Sequence, residues 1–93
     1  MDIAEKIADY MVETGINNTS SGNYFFRYDG INQDFGCYLP KDYRLLDKIV
    51  NKVYEKYGVA ICDLYYSDNP NDGFDFTFYL EYCPNAEDDN DNM

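Results

Sequence analysis

The side chains able to do chemistry in this chain are carboxylates and phenols. Asp2, Glu5, Asp9 and Glu13 recur at helical spacing and share an arc of about 80° on a helix turning roughly 100° per residue. Carboxylates at i, i+4 rise about 6 Å along such an axis, within the range of successive phosphates on a nucleic-acid strand. A second acidic set lies in two later runs. Asp63 and Tyr65 alternate with apolar residues in one; Asp75, Thr77, Tyr79 and Glu81 alternate with Phe74, Phe76, Phe78 and Leu80 in the other. On strands, alternation sends these polar and phenolic side chains to one outward face. A third set is basic: Lys41, Arg44, Lys48, Lys52 and Lys56 share an arc of about 120° of a second helix. Charged arcs opposite an apolar stripe are commonly solvated helix faces. Here, however, like charges at i, i+4 each cost a few tenths of a kcal/mol, so either the basic arc lies near the acidic one or a partner supplies the counter-charge.

Most catalytic chemistries lack their residues. There is no histidine, which removes the commonest general base and the commonest metal ligand. Ser20, Ser21 and Ser67 stand in turn-rich segments without a base to activate them. Cys37, Cys62 and Cys83 are odd in number and widely spaced, unlike a zinc site or a disulfide framework; they read as reduced thiols, two or three of them buried as small hydrophobes. The run Asp68–Gly73 resembles the start of a calcium loop only in part, because Pro70 takes the third ligand position and Tyr79 the twelfth. The six glycines form no phosphate-binding loop. The chain therefore reads as a non-enzyme without metal or cofactor.

Net charge is −11, from 18 acids against 7 bases in 93 residues, with 11 tyrosines and 6 phenylalanines. No basic excess exists to displace counterions, so direct binding to nucleic acid or anionic membrane is excluded. The charge is uneven. Residues 1–40 carry six acids and two bases, 41–57 three acids and five bases, and 58–93 nine acids and no base. The N-terminus is acidic where a signal peptide is basic, and no run approaches transmembrane length. With the reduced thiols, this points to a cytoplasmic protein.

The elements that must position these groups follow from periodicity. Ile3, Ala4, Ile7, Ala8, Met11 and Val12 form the stripe of a first helix, with Asp2 and Glu5 as a capping box and Gly15 as its stop. Segments 23–28 and 34–39 read as an aromatic hairpin joined through Asp29-Gly30, with Gly36 at a bulge or bend. Pro40 opens a helix over 41–57, buried through Leu45, Leu46, Ile49, Val50, Val53 and Tyr57 and stopped by Gly58. Segments 59–66 and 74–82 read as a second hairpin, with Ala60, Cys62, Leu64 and Tyr66 facing inward. The expected fold is a single α+β domain over residues 1–84, in the order α-β-β-α-β-β. It has a four-stranded antiparallel sheet and two helices on one face; its halves look alike as units of an αββ pseudo-repeat, a likeness open to duplication or to the chance similarity of two short amphipathic helices. Residues 85–93 read as an acidic disordered tail.

Two functions fit these features. Short, acidic, histidine-poor and catalytically empty chains resemble, in composition alone, the phage and mobile-element proteins that block restriction or CRISPR nucleases. That resemblance implies an inhibitor presenting nucleic-acid-like charge to a protein with a basic, nucleic-acid-binding groove. Glu5, Asp9 and Glu13, or Asp63, Asp75 and Glu81, would supply the charge, and Tyr65 and Tyr79 would serve as anchors. The alternative is a small adaptor or oligomerisation module that acts, or self-associates, through its tyrosine-rich sheet face.

Overall fold

The computed structural model describes residues 2–86. Its first helix, α1 (Ile3–Asn18), starts where expected: Asp2 Oδ1 accepts the Glu5 N–H at 3.1 Å. Ala4, Ile7, Ala8, Met11 and Val12 are buried. Gly15 does not stop the helix. A side chain there would meet the Phe78 ring at 2.8 Å, so this glycine lets the helix lie close to the sheet. The stop comes at Thr19, whose N–H bonds Gly15 O and whose hydroxyl accepts the Gly22 N–H and donates to Asn23 O.

Strand β1 (Asn23–Arg27) is followed by a helix, α2 (Tyr28–Phe35), and not by the second arm of a hairpin. Tyr28, Ile31 and Phe35 recur at helical period, and the first two are fully buried. Gly36 ends α2 in the left-handed conformation (φ 68°), so it is a helix cap and not a bulge. The expected strand at 34–39 is absent from the sheet. The Asn32 side chain holds that segment instead, accepting from Leu39 N at 2.6 Å and donating to Leu39 O at 3.0 Å.

Helix α3 (Tyr43–Tyr57) begins two residues after the sequence expectation, because Asp42 rather than Pro40 starts it: Asp42 Oδ1 accepts the Leu45 N–H. Leu45, Leu46, Ile49 and Val53 are buried, and α3 packs chiefly on α1. Among the described residues the architecture is thus α+β, with three α-helices and a three-stranded antiparallel sheet. The order β1-α2-α3 also removes the αββ repeat.

The sheet runs β1-β3-β2, where β2 is Ile61–Tyr66 and β3 is Gly73–Phe78. Phe74, Phe76 and Phe78 on the central strand are buried as their alternation predicts. Phe76 stacks on Phe78 at 5.6 Å and meets Phe26 edge-on at 6.1 Å. Two expectations fail at the far end. A bulge in β2 pairs Ile61 with Phe78 and then Asp63 with Thr77; Ile61 becomes buried, and Cys62, expected inward, is exposed. The last strand also stops at Phe78, and Leu80–Tyr82 form a 3-10 turn. Of the segment assigned to a tail, residues 87–93 lie outside the described residues. Asn85 bonds Asn17 O, and Ala86 packs against the core.

One buried hydrogen bond ties α2 to the β2–β3 hairpin. The Tyr28 hydroxyl donates to Ser67 O, and burial pushes its pKa up to about 12. Tyr28→Phe keeps the ring against Phe74 but orphans the Ser67 carbonyl. The expected loss is about 1–2 kcal/mol in urea unfolding, with an unchanged denaturant slope.

Candidate functional site

The outward face of the sheet follows from register. Phe25 on β1 stands opposite Asp75 on β3, and Asp75 stands opposite Tyr65 on β2. One row therefore reads ring, carboxylate, ring across three strands. The next row reads Asn23, Thr77, Asp63, with Thr77 Oγ1 and Asn23 Oδ1 at 2.8 Å. Phe25 is 46% exposed and Tyr65 61% exposed. Tyr79 is extended and 46% exposed just beyond β3, where its N–H bonds Ala60 O. The face thus collects four of the expected site residues: Asp63, Tyr65, Asp75 and Tyr79.

Glu81 does not join them on the sheet. It sits exposed in the 3-10 turn, because β3 ends three residues earlier. Asp63 is on the face but is engaged locally. The Ser67 N–H bonds Gly73 O, and antiparallel alternation then turns the N–H groups of Leu64 and Tyr66 away from β3, toward the open edge of β2. Asp63 Oδ1 accepts the Leu64 N–H at 2.8 Å, so this carboxylate shields part of a bare edge. The Asp75 carboxylate makes no hydrogen bond or ion pair among the described residues.

The acids of α1 meet a different fate. Lys56 from α3 reaches both Glu5 Oε2 at 3.3 Å and Asp9 Oδ1 at 2.8 Å, and the Tyr57 hydroxyl donates to the same Asp9 oxygen at 2.8 Å. The basic and acidic arcs therefore meet inside the molecule at this point. The Lys56 bond holds the Asp9 carboxyl below its usual value, with help from Tyr57. Lys56 is raised in return, chiefly by Asp9. Burial pushes Tyr57 up to about 12, and its bond to the Asp9 carboxylate adds to the shift. Glu13, the remaining member of the expected stripe, is exposed and without an ion pair among the described residues.

A group whose pKa is depressed on folding stabilises above its unfolded pKa and loses that effect as pH falls through the folded value. Asp9→Asn is therefore expected to lower the thermal midpoint at about pH 6. The gap to the parent should narrow as pH falls below the ordinary aspartate range and close once Asp9 is protonated in both states. Parallel melts across that range check this; a gap that stays constant would mean that Asp9 ionisation contributes nothing.

A residue that the sequence did not single out completes the picture: Phe25, on the outward row. Glu5 and Asp9 of α1 are clamped by Lys56, a member of the expected basic arc, and Asp9 also by Tyr57, which was expected only as a buried position of its helix. Phe25 lies in the run Tyr24-Phe25-Phe26, where aromatics on both phases hide the parity. A cleft of about 380 Å³ opens between the N-terminal ends of α1 and α3, and is lined by Cys37, Tyr38, Arg44 and Lys48 among others. Its two carboxylates, Asp2 and Asp42, both cap helices. Cys37 and Cys83 are buried, and burial raises both thiols above their ordinary pKa. Among the described residues no three His, Cys, Asp or Glu side chains converge as metal ligands, and no helix is long and apolar enough to cross a membrane. Comparison with protein-family models, with curated proteins and with solved structures finds no match.

Proposed function

We propose that this chain is a non-catalytic inhibitor of a nucleic-acid-binding protein, of the kind that phages and mobile elements direct against restriction or CRISPR nucleases. It would present the β2–β3 side of the molecule to the target's basic groove. One observation carries the reading. Between residues 58 and 86 stand Asp63, Asp68, Asp72, Asp75 and Glu81 without a single Lys or Arg, and none of the five forms an ion pair among the described residues. Glu5 and Asp9 of α1, by contrast, receive Lys56 from within the chain. Uncompensated like charge repels itself, and a cationic groove relieves that repulsion while steering the encounter.

The test is competition. At low salt the protein should displace DNA or guide RNA from a basic-groove nuclease, and displacement should weaken as salt is raised. A panel of such nucleases that keep their nucleic acid at low salt would refute the proposal. A second reading, an adaptor or self-associating module, draws on the exposed rings of Phe25, Tyr65 and Tyr79 on the same side. Binding of that kind survives raised salt and fails on Tyr65→Ala or Tyr79→Ala.

A further inference from the structure

We infer that the row Phe25–Asp75–Tyr65 is a seat for an arginine side chain of the partner; the inference rests on the reading of this face as the one that meets a basic protein. The geometry starts from the ladder. Phe25, Asp75 and Tyr65 are direct cross-strand partners and therefore stand abreast on one face. Adjacent strands lie about 4.8 Å apart, so the two ring-bearing positions are roughly 10 Å apart, with the carboxylate midway. A flat cation held between two rings needs about 3.5 Å on each side, roughly 7 Å in all. Modest leaning of the two rings over Asp75 closes that difference.

Each part of the seat matches one property of guanidinium. The planar face stacks on the aromatic walls, and the fork of N–H donors pairs with a carboxylate below. Lysine offers a compact ammonium that can do neither in the same pose. Asp75 is half-buried and its carboxylate has no hydrogen bond or ion pair among the described residues, so its oxygens are open to an incoming donor. The approach is also open on one side. The next row toward the hairpin turn pairs Arg27 with Gly73, so the central strand presents no side chain there. Arg27 itself is held by Asp29, with Nε 3.3 Å from Oδ1. On the other side the Thr77–Asn23 bond closes the row.

The experiment uses two probes of equal charge, hexa-arginine and hexa-lysine, titrated into the isotope-labelled full chain and followed by amide and aromatic NMR. Hexa-arginine should bind about tenfold tighter than hexa-lysine, a difference of about 1.4 kcal/mol. Its largest shifts should fall on Phe25, Asp75 and Tyr65. D75N and Tyr65→Ala should each reduce hexa-arginine binding to the hexa-lysine level. D47N, which removes an exposed acid on α3, should leave the preference intact. Equal affinities, shifts centred elsewhere or no binding of hexa-arginine would overturn the inference. The broader reading fails separately: it falls if hexa-arginine occupies the row but no basic-groove nuclease is displaced. If nucleases are displaced while the peptides bind alike, only the arginine seat falls.

Discussion

Replacing Gly73 by alanine is expected to cost more than about 3 kcal/mol and to leave much of the chain unfolded. Gly73 is the first residue of the central strand and is buried. A Cβ there would lie 1.8 Å from the Phe26 carbonyl oxygen and 2.9 Å from Arg27 Cα, both backbone atoms of β1. No rotamer relieves a clash with backbone, so β1 and β3 would have to separate. That separation strains the Phe26–Phe74 pairing and the Tyr28 N–H bond to Asp72 O, which together fix the start of α2 against the sheet. A small domain has only about 5–15 kcal/mol of net stability. Gly30→Ala provides the contrast. Gly30 lies inside α2 with nothing within 4 Å of its would-be Cβ, and alanine there should add up to about 1 kcal/mol through helix propensity. Urea titrations of the two variants should move the midpoint in opposite directions. Equal midpoints would mean that β1 gives way to the methyl group, contrary to the packing described above.

The parts of the fold legible in the sequence are those where burial alone decides. The stripes of α1 and α3 and the alternation of Phe74, Phe76 and Phe78 each have one periodic solution, and the structure adopts it except at Ile3, which is exposed at the first turn of α1. The parts that were not legible depend on neighbours. Leu80 and Tyr82 continue the alternation of β3, yet the strand stops at Phe78. Its partners run out there: β1 begins at Asn23 opposite Thr77, and β2 begins at Ile61 opposite Phe78. A strand pattern without a strand beside it becomes the turn in which Glu81 sits. Segment 28–35 failed for the opposite reason. Its helical period of Tyr28, Ile31 and Phe35 was present, but aromatic residues and the Asp29-Gly30 pair favour strand and turn locally. Tertiary burial of Tyr28 and Ile31 under the sheet end outweighed both.

The candidate site divides along the same line. The outward placement of Asp63, Tyr65 and Asp75 was readable, because β3 has one buried phase and antiparallel pairing transfers it to β2. The bulge at Cys62 was not, since it has no residue signature in this sequence; it shifts Ile61 and leaves Asp63 onward in phase. The pairing of Glu5 and Asp9 with Lys56 depends on how α1 crosses α3. Their apolar faces set that crossing, and the charged residues then meet across it.

That division leads to the largest functional prediction. Asp75→Lys combined with Glu81→Lys changes the charge of the β2–β3 side by four units while leaving every ion pair found among the described residues in place. Opposed like charge at an interface costs several kcal/mol, so the double variant should lose at least about a hundredfold in affinity for a nuclease that the parent displaces, about 2.7 kcal/mol. Its far-ultraviolet spectrum should stay unchanged, because Glu81 is exposed and the Asp75 carboxylate makes no hydrogen bond or ion pair among the described residues. The matched control is Asp34→Lys with Asp47→Lys, which alters net charge equally at exposed positions on α2 and α3. Long-range attraction between exposed groups is screened beyond about 8 Å at physiological salt, so the control should lose less than about tenfold. Equal losses in the two variants would assign binding to net charge in place of a surface. Loss in neither, with loss on Tyr65→Ala, would favour the adaptor reading, in which the carboxylates serve solubility and the rings carry the contact.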